Sequence, residues 1–203
     1  MADYAQYDIQ SEDPYLLPGS TCLINCLNIT DTASLAAAEV ELSAHALAEL
    51  IRSPVHPTFD LSHLCQIHHR LLGTVYPWAG LTREVDILKG GKLFLPWQRI
   101  PEVSNQIFTG LANEQLLQGL DRHAFAERAA FYLGRINMMH SFREGNGRTQ
   151  RIFIDQLAEI SGFAFSWTSI SDVQMGEACR AARQDEPNYG LLHRLLALNI
   201  ISL

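Results

Sequence analysis

The sequence predicts a mainly α-helical, single-domain protein that carries one β-hairpin, and three observations support that expectation. Apolar residues recur at helical spacing over most of the chain, for example at Phe125, Ala129, Tyr132, Ile136 and Met139, and again at Ile152, Phe153, Leu157 and Ile160. One stretch breaks the period: short alternating runs flank the pair Gly90-Gly91, which is the pattern of a hairpin. No internal repeat, low-complexity tract or linker interrupts the 203 residues, so one domain spanning 1–203 accounts for the whole length.

Taken in order, residues 1–30 read as a polar start followed by an N-terminal strap. Asp13-Pro14-Tyr15-Leu16-Leu17-Pro18-Gly19 is rich in turn formers, and Tyr15 and Leu16 are expected to pack on the core. A helix over 31–52 has Asp31 or Thr32 as its cap and Leu35, Leu42, Ala46 and Leu50 facing inward. Pro54 and Pro57 end it, and a second helix covers about 60–76. Residues 83–96 form the hairpin, with Arg83–Ile87 and Leu93–Pro96 as its strands. Pro101 opens a helix over about 100–117, and Asp121 or a neighbour starts the helix that ends near His140. A further helix ends near Gly162, and two more cover about 171–183 and 187–200.

Composition narrows the function classes. A net charge of −7 argues against a general nucleic-acid or anionic-membrane binder, because such proteins need a basic surface. No run of 18 apolar residues and no signal peptide is visible, so a cytoplasmic protein is expected. Cys22, Cys26, Cys65 and Cys179 lack a paired spacing, which fits free thiols in a reducing compartment. His63, Cys65, His68 and His69 fall on the helical pattern of Leu61, Leu64, Ile67 and Leu71, and read as helix positions rather than metal ligands.

The chemistry is concentrated between two helices, in His140-Ser141-Phe142-Arg143-Glu144-Gly145-Asn146-Gly147-Arg148-Thr149-Gln150-Arg151. Gly145 and Gly147 allow successive backbone N–H groups to turn toward one point, where the next helix also presents its unpaired N–H groups and positive dipole end. Arg148 and Arg151, three apart, share a helix face and can fork onto phosphate oxygens. Glu144 suits Mg²⁺, which binds through one or two carboxylates plus substrate phosphates. His140 can take a proton from a hydroxyl near neutral pH. Together these groups specify attack of a hydroxyl on a phosphorus centre, and spacing alone leaves open which phosphorus is attacked.

At these residues the sequence resembles the Fic (filamentation induced by cAMP) family, whose signature His-x-Phe-x-(Asp/Glu)-Gly-Asn-Gly-Arg-x-x-Arg is matched at every fixed position from His140 to Arg151. The resemblance implies a Fic-like helical bundle with the hairpin as a flap over the active site. It further implies transfer of AMP from ATP, with Mg²⁺, to a Tyr, Thr or Ser hydroxyl of a protein. On that model His140 deprotonates the hydroxyl, Glu144 holds Mg²⁺, Gly145, Asn146 and Gly147 hold the phosphates, Arg148 stabilises the leaving group and Arg151 binds the γ-phosphate. Phe142 anchors the loop in the core. The flap residues Ile87, Leu88, Lys89, Gly90, Gly91, Lys92, Leu93 and Phe94 position the target segment. Arg143 and Gln150 occupy variable positions and are expected in solvent, and Trp167 is expected to pack.

Two alternatives stay open: a nucleotide-binding module that holds a peptide without turnover, and a phosphotransferase on the same fold. Related kinases carry Lys where this chain has Gly147, which favours AMP transfer. Many family members are restrained by a (Ser/Thr)-x-x-x-Glu-(Gly/Asn) helix, yet no Ser or Thr here is followed by Glu four residues later. The chain therefore resembles the toxin halves of bacterial toxin–antitoxin pairs. The resemblance implies a small antitoxin that supplies Glu to Arg151, and targets such as type II DNA topoisomerase subunits. Delivery into a host cell as an effector is the other expectation.

Overall fold

The computed structural model describes residues 13–203; the expectation for residues 1–12 lies outside the described residues. Helix α4 (Arg122–Met139) organises the rest, because most of its surface is buried, at Phe125, Ala126, Ala129, Ala130, Leu133 and Ile136 among others, while Glu127, Arg128 and Arg135 keep one face toward solvent. A helix with so wide an apolar face must be covered on several sides. Enclosing it are α3 (Ile100–Asn113), α5 (Asn146–Glu159), α6 (Asp172–Ala182) and α7 (Gly190–Asn199). Helix α1 (Thr32–Arg52) packs on α2 (Leu61–Leu72), which in turn packs on α5. Apolar side chains from all seven helices merge into one core. Each fully buried Leu or Phe contributes about 1.5–3 kcal/mol of burial energy.

Side-chain caps set where several helices begin. Asp31 accepts from Ser34 N at 2.7 Å, Asp60 from His63 N at 2.8 Å, and Asp121 from His123 N and Ala124 N at 2.9 Å. Ser171 and Gln174 complete a capping box at α6.

The last helix begins at Gly190 rather than 187, and three further boundaries depart more from the sequence reading. Helix α2 stops at Leu72 rather than near 76, because Val75 N and Tyr76 N both turn back to Leu72 O ahead of Pro77. Helix α3 stops at Asn113 rather than 117. Gln115, Leu116 and Leu117 adopt left-handed φ of 54°, 53° and 61°, which turns Leu117 into the core. The carboxylate of Glu114, held by Arg128 and by Tyr132 Oη at 2.7 Å, pins that break. The hairpin is also shorter than the alternation suggests. Only β1 (Leu88–Lys89) and β2 (Lys92–Leu93) pair, with Leu88 opposite Leu93. Ile87 O still accepts from Phe94 N at 3.1 Å, but the backbone of 83–86 leaves the ladder as Arg83 N donates to Ser141 O at 2.8 Å.

One pairing has no counterpart in the sequence reading: β3 (Phe163–Phe165) runs antiparallel to β4 (Ile200–Ser202), which closes the C-terminal end against α5. In the strap from residue 13 onward Tyr15 packs on the core as expected, but Leu17 takes the place expected of Leu16. Tyr15 meets Trp78 edge-on at 5.4 Å, Leu16 bridges to Leu23, and Cys26 N donates to Val75 O at 2.8 Å.

Candidate active site

His140 is delivered by the C-terminus of α4, where it takes a left-handed conformation, φ 48° and ψ 63°. That turn frees its side chain from the helix surface and starts the loop. Its Nδ1 lies 3.0 Å from Asn137 O. A carbonyl only accepts, so Nδ1 carries the proton and Nε2 is the basic nitrogen. The ring is buried and stacks on Phe94, centroids 3.7 Å apart. Burial, followed by the positive charges of Arg83, Lys89 and Arg183, holds its pKa well below the ordinary histidine value despite the Asn137 carbonyl. His140 is therefore a neutral base at pH 7.

Phe94 belongs to the hairpin, so the structure brings the expected flap onto His140. Arg183, at the end of α6, fastens the far side: its guanidinium lies 3.9 Å over the Phe94 ring and donates to Lys89 O at 3.0 Å and Lys92 O at 3.4 Å.

The loop between α4 and α5 is shaped from inside. Asn146 Oδ1 accepts from Phe142 N at 2.9 Å and its Nδ2 donates to Phe142 O at 2.7 Å, closing a five-residue bend. Phe142 is buried and stacks on His68 at 3.9 Å. Gly145 caps α5 with φ 77°. Glu144 Oε1 folds onto Gly145 N at 2.8 Å, which sets its carboxylate at the positive end of α5.

The two arginines differ in company. Arg148 Nη1 donates to Ser43 Oγ at 2.9 Å, and its Nη2 pairs with Glu39 and lies 4.0 Å from Glu144. Glu39 also accepts from Tyr76 Oη. Among the described residues, the Arg151 side chain takes no hydrogen bond and no ion pair. A Cβ on Gly147 would lie 3.8 Å from Arg151 Nη1, which places that guanidinium over the first turn of α5. The Glu144 carboxyl is raised above its ordinary value, first by burial and then by the Glu39 charge. Such a carboxylate, hard-oxygen and beside an arginine-lined helix terminus, fits a divalent cation shared with phosphates.

Two solvated expectations are corrected. Arg143 is buried and pairs with Asp13 at 2.8 Å, so it ties the strap to the loop. Gln150 is buried inside α5. Both face the core because α5 starts within the molecule. Trp167 packs as expected, with Nε1 2.7 Å from both oxygens of Asp155, whose burial pushes its pKa up to about 7.

Several supporting residues went unread in the sequence: Glu39, Tyr76, Arg83, Arg183 and His68. Glu39 carried a signal, because it stands four residues after Leu35 on the inward face of α1, where an acid needs a partner. His68 accepts from Gly80 N at Nδ1, 2.7 Å, so its Nε2 donates to Glu144 O at 3.0 Å. Burial lowers its pKa to about 3. The unfolded ring, at about 6.5, binds a proton more readily, so the stability that neutral His68 contributes is complete above pH 6.5 and is lost as pH falls toward 3. By pH 5 the loss from this ring is about 2 kcal/mol. Denaturant unfolding of the wild type and His68→Gln at pH 7 and pH 5 checks this: the variant is expected to start lower and fall less, by about that amount.

Against known proteins, the family model described as Fic/DOC matches residues 58–158. A protein of Bartonella schoenbuchensis named protein adenylyltransferase VbhT is 42% identical over 168 residues, 83% of this chain and 35% of its own length. The chain thus spans about a third of that relative. A Salmonella typhimurium protein named probable protein adenylyltransferase Fic is 40% identical over 80% of both chains. Among solved structures, the effector BepC of Bartonella tribocorum with bound AMPPNP superposes with a TM-score of 0.86 at 26% identity, covering 93% of this chain and 97% of that one.

Proposed function

The chain belongs to the Fic/DOC family, and on that premise we propose that it is a protein adenylyltransferase that moves AMP from ATP to a Tyr, Thr or Ser hydroxyl of another protein. The observation that carries this reading is the neutral His140, its Nδ1–H committed to Asn137 O, beside the helix terminus that Glu144 and Arg151 line. Nε2 takes the hydroxyl proton. The freed oxygen attacks the α-phosphorus, the bond to the α–β bridging oxygen breaks, and pyrophosphate leaves. The polyphosphate charge, arriving beside the ring, raises its proton affinity at the moment it is needed.

Gly145 and Gly147 contribute N–H groups at the α5 terminus, Asn146 keeps the bend that aims them, and Arg148, oriented by Glu39 and Ser43, meets charge on the leaving group. Arg151 receives the γ-phosphate. Mg²⁺, held by Glu144, would neutralise the phosphate charges. The flap residues, with Phe94 on His140, align a target segment by main-chain pairing along the hairpin edge.

Arg151, whose side chain has no ion pair among the described residues, is also where a separate small antitoxin would place an inhibitory Glu, which makes this chain the toxin half of a pair acting in the cytoplasm. Type II DNA topoisomerase subunits are the target class this reading names. Incubation with bacterial lysate, Mg²⁺ and ATP tests it. Label at the α-phosphate is expected in protein, and label at the γ-phosphate is not. Transfer of the γ label alone would make the chain a phosphotransferase.

A further inference from the structure

Arg83 heads the fully buried side chains by volume among the described residues, and it stands outside the loop from His140 to Arg151. A guanidinium taken out of water needs every donor answered. Among the described residues the answers include four backbone carbonyls. Nε donates to His140 O at 2.8 Å, Nη1 to Val85 O at 2.6 Å, and Nη2 to Leu95 O at 2.5 Å and Met139 O at 3.3 Å. Asp86 lies 3.8 Å from Nη1 and also accepts from Trp97 N at 2.9 Å.

These partners fall into two groups with one purpose. Met139 and His140 end α4, where the carbonyls are unpaired and the helix dipole is negative, so a buried cation is favoured there. Val85 and Leu95 are the two stems of the hairpin, on either side of Ile87 and Phe94. The backbone repeats the connection: Arg83 N donates to Ser141 O at 2.8 Å and Leu95 N to Met138 O at 3.3 Å. Both stems of the flap are thus fastened to the turn that holds His140 in its left-handed conformation.

We propose that Arg83 is a positioning residue for AMP transfer, whose planar fork fixes His140 and the flap in one register so that Phe94 stacks on the imidazole. This rests on the reading of His140 as the base. Lysine cannot replace the fork: one ammonium reaches one or two of the four carbonyls and leaves the others buried without a donor.

The test uses full-length Arg83→Lys beside His140→Ala. The expected result has three parts. Arg83→Lys binds MgATP as the wild type does, since the cradle on α5 is untouched. It loses transfer of the α label into bacterial lysate by about a hundredfold, the scale expected for a misplacement near 1 Å. Its His140 ring-proton resonances lose the upfield shift that stacking on Phe94 confers, a signature that stability alone does not move. Transfer and His140 resonances both equal to the wild type would overturn the proposal. If His140→Ala still transfers label, the reading of the base fails instead, and the two failures are distinguishable. Should Arg83→Lys not bind MgATP, Asp86→Ala loosens one stem at the partly exposed end of the same network. Weakened transfer with a shifted His140 resonance supports the proposal, and wild-type values in both overturn it.

Discussion

Replacing His140 by alanine is expected to abolish incorporation of the α label into protein while MgATP still binds. The base alone contributes about 10²- to 10⁴-fold in such reactions, and here no second residue takes its place: His68 donates Nε2 to Glu144 O and accepts from Gly80 N at Nδ1. A calorimetric titration with MgATP checks that the cradle survives. In the wild type, the acid limb of transfer is expected below pH 6.5. Burial, with Arg83, Lys89 and Arg183 nearby, keeps the free imidazole neutral until well under that value. Removing Arg183 by Arg183→Met, which takes away a positive charge and the cover over Phe94, should move that limb upward.

The second large effect is structural. Gly145→Ala is expected to destabilise the protein by about 2–5 kcal/mol and to stop transfer, because two costs coincide. Gly145 sits at φ 77°, where a side chain is strained by about 1–2 kcal/mol. Its Cβ would also lie 2.2 Å from Leu72 Cδ1 and 3.4 Å from His68 Nε2. Leu72 is fully buried in α2 and has nowhere to go, which adds about 1–3 kcal/mol of overpacking. The loop must then lift off α2, which breaks the His68–Glu144 bond and turns the N-terminus of α5 away. Gly162→Ala separates the two costs, since φ there is 79° with no atom within 4 Å of the added carbon. Thermal unfolding of both variants is expected to show the smaller loss at Gly162.

How much of this was legible in the sequence follows from what each residue's partners are. The core faces of the helices could be read, because burial at helical spacing repeats along the chain. The glycine pair announced the hairpin, and the loop from His140 to Arg151 announced its chemistry, because residue type and local spacing suffice there. What stayed hidden depends on distant contacts. Arg83 looked like one residue of an alternating strand, and the carbonyls of Val85, Leu95, Met139 and His140 that it reaches are unmarked by any side chain. Arg143 and Gln150 looked exposed beside polar neighbours, yet Asp13 crosses 130 positions to pair with Arg143. The pairing of β3 with β4 joins two segments nearly forty residues apart in a chain whose other cues are helical. Glu39 was the exception, an acid on an apolar stripe, and its pairing with Arg148 explains why α1 tolerates it there.

The most direct test of the central claim is the mass of the modified target. Proteins of a bacterial lysate treated with the chain, Mg²⁺ and unlabelled ATP would be digested and sequenced by mass spectrometry, beside a His140→Ala control. The account predicts a Tyr, Thr or Ser side chain heavier by one adenosine monophosphate in the treated sample and unmodified in the control. A side chain heavier by a phosphate group alone, or an AMP adduct formed equally by His140→Ala, would contradict it.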